Sequence, residues 1–201
     1  MKFPLVPDFY FESIHAIDLA RLRARGVRLL LADLDNTLVP YGVHTPTQPV
    51  RAWKQALDQA GITLFLLSNS RKPGRAQRFA EALGIPYEGH AGKPKVGGFQ
   101  RAMARMGAAP EETAIVGDQI FTDIWGGNRA GVLTLLVHPS SLAPCFEACV
   151  TVWDPFRAGA GKGRGCEGAV WHRRQPGGVL CRERNSQADA RLAAGAGTGR
   201  L

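Results

Sequence analysis

Residues 27–37 read Val-Arg-Leu-Leu-Leu-Ala-Asp-Leu-Asp-Asn-Thr. The first six, apolar but for Arg28, run straight into Asp33 and Asp35. So short and apolar a stretch reads as a strand buried on both faces, the kind found in parallel sheets. In an open α/β sheet the ligand crevice lies beyond the carboxyl ends of the strands. This segment therefore delivers two carboxylates, one residue apart, to that crevice. Charges so close repel each other. A divalent cation such as Mg²⁺, which takes hard oxygen ligands, is the simplest reason for them to be there.

Working outward, apolar runs predict further strands over 62–67, 85–87, 113–116 and 132–137, with the first over 28–31. Helices are predicted between them over 19–25, 45–60, 73–83 and 96–106, and from Thr122 to a stop at Gly131. Asp18 and Thr45-Pro46 read as helix starts, and Gly26, Gly61, Gly84 and Gly107 as stops. This alternation predicts an α/β fold, a three-layer α/β/α sandwich around a doubly wound, Rossmann-like parallel sheet.

Three strand ends carry polar residues: Asp33-Leu-Asp35-Asn-Thr37, Ser68-Asn69-Ser70 and Gly117-Asp118, with Asp123 five residues further on. Lys93-Pro94-Lys95 sits in a loop before a helix. Alone, each has a bland reading. Ser68 is an N-cap or turn residue, Lys93 a solvated lysine, Asp33 a turn acid and Asp123 the N-cap of the next helix. In a parallel sheet, however, all these ends share one edge, so the ordered set is expected to form a single site.

The set resembles the four motifs of the haloacid dehalogenase (HAD) superfamily over roughly residues 27–137. The resemblance implies a Mg²⁺-dependent phosphatase with a covalent aspartyl-phosphate. Asp33 would be the nucleophile, and Asp35 the acid for the leaving group and then the base for water. Ser68 and Lys93 would hold the transferring phosphoryl group. Asp118 would complete the metal site with Asp33 and the backbone carbonyl of Asp35, supported by Asp123. Thr37 and Asn69 are further candidates for phosphate contact, as are Asn128 and Arg129 on the helix after the last motif, where a solvated face is an equal reading. The chemistry suits the residues. A carboxylate attacks phosphorus only if charge repulsion is relieved, and a metal ion with a compact lysine charge relieves it.

HAD enzymes commonly gain specificity from an inserted cap. Here residues 38–44 are too few to hold one, and residues 70–91 are already used by one helix and one short strand. The site is expected to be capless and open to a phosphate on something large: a macromolecule, a lipid at a membrane surface, or a substrate enclosed by a second subunit. The stretches PDFYFESIHAIDLARLRARGVRLLLADLDNTLVPYG, LLSNS, KP and VGDQIFTDIWGGNRAGVLTLLV are more closely similar to the YqeG-type, class IIIA phosphatases, relatives of the mitochondrial and plastid phosphatidylglycerophosphate phosphatases. That resemblance implies hydrolysis of phosphatidylglycerophosphate. The alternatives are a phosphatase for a soluble sugar, nucleotide or phosphoprotein, closed by a homo-oligomer, and a non-catalytic protein binding nucleic acid or a protein partner. The intact set of acids, serine and lysine argues against the last.

The chain has 201 residues and a formal charge of +8, which favours anionic partners. Neither an export signal nor a membrane-spanning stretch is evident, so a cytoplasmic location is expected, with peripheral contact to the inner face of the membrane an option. Phe3, Phe9, Tyr10 and Phe11 beside Arg21, Arg23, Arg25 and Arg28 suit a bilayer interface, but core packing is the better reading. Composition then splits the chain into a phosphatase-like domain, 1–141, and an atypical tail, 142–201. The tail holds all four cysteines, ten of the 24 glycines and half the charge excess. Its cysteine spacing fits no zinc motif and its apolar residues are too few for a core, so poor order is expected. Arg, Gly, Ala, Pro and Cys rise together there, as a reading-frame shift in a GC-rich gene would produce.

Overall fold

The computed structural model describes residues 4–69 and 74–140, together with the backbone of residues 171–172. The rest of the expected tail, and Ser70 of the second motif, lie outside the described residues.

Among the described residues seven strands form one sheet: β1 (Phe9–Phe11), β2 (Leu29–Ala32), β3 (Thr63–Leu67), β4 (Tyr87–Glu88), β5 (Thr113–Gly117), β6 (Leu133–Val137) and β7 (Trp171–His172). Their order is β4-β3-β2-β5-β6-β1-β7. The first six run parallel, and β7 lies antiparallel beside β1. The chain passes from β2 to β3 and β4 on one side, and from β5 to β6 on the other. β2 and β5 therefore flank the point where strand order reverses, and the loops leaving their carboxyl ends frame the crevice.

Among the described residues five helices cover the sheet: α1 (Leu19–Ala24), α2 (Gln48–Gln59), α3 (Arg75–Leu83), α4 (Gly97–Met106) and α5 (Trp125–Ala130). Alternating strand residues feed two cores. Leu30, Ala32, Leu64 and Leu66 pack with Leu22 of α1, Trp53 and Leu57 of α2 and Phe79 of α3. Leu29, Leu31, Phe65 and Leu67 pack with Phe99, Ala102 and Met103 of α4. Both faces are apolar because both are covered, which makes the three-layer sandwich. No helix among the described residues is long and apolar enough to cross a membrane.

Most element starts and stops follow their local chemistry. The Asp18 carboxylate caps α1 by accepting from the Arg21 N–H at 3.0 Å. α2 begins two residues later than its first Thr-Pro suggests, with Thr47 at its start and Pro49 in its first turn. The larger difference is β1. Phe9 and Phe11, for which core packing is the better reading of the sequence, are 6% exposed and form a strand, not expected there, against β6. Core packing is their role. The N-terminal segment is fastened there by Asp8, whose carboxylate accepts from the N–H and hydroxyl of Thr134 at 2.9 Å each.

α5 lies close on the sheet because a residue without a side chain lets it. A Cβ on Gly127 would come within 2.5 Å of Ile115 and 2.7 Å of Thr134. Gly127→Ala is therefore expected to destabilise the fold by about 1–3 kcal/mol through overpacking, read as a lower urea midpoint at unchanged slope.

Candidate active site

The site begins where β2 ends. The Asp33 N–H still bonds across to the Val116 carbonyl at 3.0 Å. The chain then curls on itself: the Leu38 and Val39 N–H groups both donate to the Leu34 carbonyl, and the Asn36 N–H donates to Val39. Fully buried Leu34 pegs the curl from below. Asn36 takes φ 63°, a left-handed conformation that Asn tolerates better than most residues. Its carbonyl accepts from the Ser140 N–H at 2.7 Å. A curl so tied holds Asp33 and Asp35 in fixed relation.

β5 supplies the next two acids. Asp118 follows Gly117 at the strand end, and the chain enters a wide turn over Ile120–Ile124, where the Ile124 N–H reaches back five residues to the Gln119 carbonyl. Such turns are rare and gather at functional sites. This one points Asp123 inward, where it is fully buried and accepts from the Gln119 N–H at 3.2 Å. A Cβ at Gly117 would come within 2.3 Å of the Asp123 carboxyl, so only glycine leaves room for it.

Lys93 comes from the loop after β4. Asn69, at the end of β3, braces that loop with both ends of its amide. Its Nδ2 donates to the Lys93 carbonyl and its Oδ1 accepts from the Lys93 N–H, each at 2.9 Å. The Lys93 ammonium donates to Asp33 Oδ1 at 2.6 Å and to Asp123 Oδ1 at 2.7 Å. Burial works against its charge, but Asp123 and Asp33 outweigh burial and raise its pKa above the ordinary lysine range. Asp33, Asp118 and Asp123 each bring a carboxylate oxygen within 4.8 Å of the others. Burial, with Asp123 and Asp33 beside it, pushes Asp118 up to about 7. Burial also raises Asp123, against the pull of Lys93. Three carboxylates facing one ammonium form a pocket with unbalanced negative charge and oxygen donors only, which fits a hard divalent cation.

Asp35 stands apart from this trio. Its carboxylate faces Arg75, with Nη1 to Oδ1 at 2.5 Å, an ion pair whose angles are not those of a hydrogen bond. The acid pair of the first motif is thus separated by environment, Asp33 going to the lysine and Asp35 to the arginine. Arg75 is 1% exposed, and its Nη2 also donates to the Val43 carbonyl at 2.9 Å. Sequence reasoning missed it. One signal was present: a cation in the first turn of a helix opposes the helix dipole and needs an acid nearby.

The remaining candidates take supporting places. The Thr37 hydroxyl, expected at phosphate, donates to Asp118 Oδ1 at 3.3 Å. Ser68 is buried just past the end of β3, on the same edge as Asp33. Asn69 serves the Lys93 loop, as above. Asn128 is a candidate for phosphate contact on the sequence alone. Its amide instead donates to the Pro4 and Val6 carbonyls, at 2.8 and 2.9 Å, and fastens the N-terminal segment. Arg129 is exposed, with its guanidinium 5.6 Å from the Trp125 ring centroid and Nη1 3.4 Å from the Pro94 carbonyl. Among the described residues no inserted domain occupies either cap position.

A family model for haloacid dehalogenase-like hydrolases matches residues 16–131. The chain is 37% identical over 141 residues to the probable phosphatase YqeG of Bacillus subtilis, covering 70% of this chain and 81% of that one. It is 33% identical over 142 residues to the chloroplastic phosphatidylglycerophosphate phosphatase 1 of Chlamydomonas reinhardtii, and 29% identical over 147 residues to the chloroplastic/mitochondrial one of Arabidopsis thaliana. These alignments cover 67% and 69% of this chain, but only 53% and 42% of the algal and plant proteins. With the carboxylate cluster at the strand-order reversal, these matches place the chain in the haloacid dehalogenase-like hydrolase family, as a phosphatase related to YqeG.

Proposed function

We infer that this phosphatase uses Mg²⁺ and a phosphorylated Asp33, and that its substrate is phosphatidylglycerophosphate. The observation that carries the mechanism is the Lys93 ammonium bonded to Asp33 and Asp123 inside a cluster of three buried acids. The substrate reading rests on the two relatives named for that activity and on the absence, among the described residues, of a cap that would exclude a lipid.

Asp33, Asp118 and Asp123 would hold the metal ion, with the backbone carbonyl of Asp35. Once bound, Mg²⁺ screens charge between nucleophile and phosphate. The rest falls to the chain's own side chains. An Asp33 oxygen attacks phosphorus while the bond to the leaving oxygen breaks. Asp35, two residues on and partly exposed, gives that oxygen its proton. Asp35 then takes a proton from water as the water attacks the phosphorylated Asp33, and inorganic phosphate leaves. Lys93 balances charge on the equatorial oxygens, with no reorganisation, because Asp123 and the Asn69 brace already hold it in place. Arg75 holds the Asp35 carboxylate in place between turnovers, and the acid step uses the form protonated from solvent on its partly exposed side.

Three outcomes follow. Asp33→Asn should lower phosphate release by at least about a thousandfold, and EDTA should abolish it in a way Mg²⁺ restores. Measured on phosphatidylglycerophosphate in mixed micelles and on an aryl phosphate, hydrolysis of the aryl phosphate alone would favour a soluble substrate. Metal-independent activity surviving Asp33→Asn would sink the mechanism.

Gly117→Ala should lower turnover by about a hundredfold or more, because the added methyl displaces Asp123 from Lys93. Thermal melting of the variant checks that the fold survives.

The raised Asp118 sets a pH dependence. In the metal-free fold it keeps a proton that the unfolded chain loses above its ordinary value of 3.8. Its contribution to metal-free stability therefore falls as pH rises from there to about 7. Below that pH the proton also competes with the ion, so affinity should drop by up to about tenfold per pH unit. The rise in Tm on adding Mg²⁺ should be larger near pH 8 than near pH 6, by calorimetry.

A further inference from the structure

Two large apolar side chains stand exposed among the described residues: Tyr41 at 62% and Phe121 at 60%. Single surface aromatics are ordinary. Their position here is not. Tyr41 lies on the loop that leaves the carboxyl end of β2, and Phe121 on the wide turn after β5. The two strands are parallel neighbours, Ala32 opposite Val116, so both loops rise from the same edge. Tyr41 is four residues beyond Thr37, and Phe121 falls between Asp118 and Asp123. The Thr37–Asp118 hydrogen bond joins the two loops at the site itself.

Each aromatic is carried by a stiff support. The Tyr41 N–H donates to Asn36 Oδ1 at 3.0 Å, and its ring centroid lies 5.9 Å from the buried Arg75 guanidinium. Phe121 is bracketed by Gln119 and Asp123, which hydrogen-bond to each other. The chemistry described above uses neither ring. Cations share this edge: Lys95 is exposed in the Lys93 loop, and exposed Arg129 reaches the Pro94 carbonyl of the same loop. The whole chain carries +8.

Aromatic rings beside basic side chains match the headgroup region of an anionic bilayer, where the ring enters the acyl boundary and the cation meets lipid phosphate. We propose that Tyr41 and Phe121 are a two-point anchor that seats the open crevice against an anionic lipid surface, so that a phosphomonoester headgroup enters the site without leaving the membrane. The proposal rests on the lipid-phosphate reading above.

The full chain, with Tyr41→Ser/Phe121→Ser and Tyr41→Trp/Phe121→Trp beside it, is sedimented with vesicles of phosphatidylcholine and phosphatidylglycerol in equal parts. The original chain and the tryptophan pair should bind, and the serine pair should lose about tenfold or more in partition. Turnover of an aryl phosphate by each variant reports that the site is intact, and hydrolysis of phosphatidylglycerophosphate in mixed micelles is read in parallel. Equal partition of all three with lipid hydrolysis intact would overturn the anchor alone. Aryl phosphate turnover without lipid hydrolysis would overturn the substrate reading and the anchor with it. Self-association that the serine pair loses, with no vesicle binding by the original chain, would assign the two rings to a second copy and overturn the proposal.

Discussion

The ammonium of Lys93 between Asp33 and Asp123 is the contact on which the site depends. Three carboxylates are held within 4.8 Å, and Asp123 has no exposure at all. Left to themselves they would take protons or spread apart. One buried cation bonded to two of them keeps the group together and leaves charge for a metal ion to balance. Lys93 in turn is held by its backbone, through the Asn69 amide, so the placement of the charge does not rely on a flexible side chain alone. The setting of Asp33 is thus fixed by β2, β3, the loop after β4 and the turn after β5 together.

The surrounding architecture serves the same convergence. Gly117 clears space for Asp123, Leu34 pegs the curl that carries Asp33 and Asp35, and Gly127 lets α5 approach the sheet. A Cβ on Gly126 would lie 2.8 Å from Phe99, so one helix is drawn in against another by the missing side chain. Asn128 and Asp8 fasten the N-terminal segment along β6. Most of these contacts are made by backbone or by short polar side chains, the means by which loops at a sheet edge are made rigid.

Where the sequence alternated apolar runs with helical spacing, the fold was legible. Buried strands ending in Asp33, Ser68 and Asp118 announce both the sheet and its crevice, because only a strand covered on both faces tolerates so apolar a run. β1 was not legible: three residues between Pro7 and Ser13 are too few to show a period, and its aromatics also suit an interface. The wide turn at 120–124 hides inside what reads as the start of an ordinary helix. Asn69 and Asn128 show a general difficulty, since an amide in a motif can meet a ligand or brace a backbone and the residue type does not say which. Arg75 was hidden for a different reason, because its acid lies 40 residues away and only the folded chain brings the two together. The Asp33–Asp35 spacing suggested one shared cation, yet the fold gives the two acids different partners.

The bond from the Ser140 N–H to the Asn36 carbonyl has an architectural implication. It brings Ser140, where the described stretch 74–140 ends, to the loop that carries Asp33 and Asp35. Ser140 therefore sits at the rim of the crevice, not on the far side of the molecule. A probe joined directly after Ser140 would start beside the acids, within reach of whatever enters the crevice.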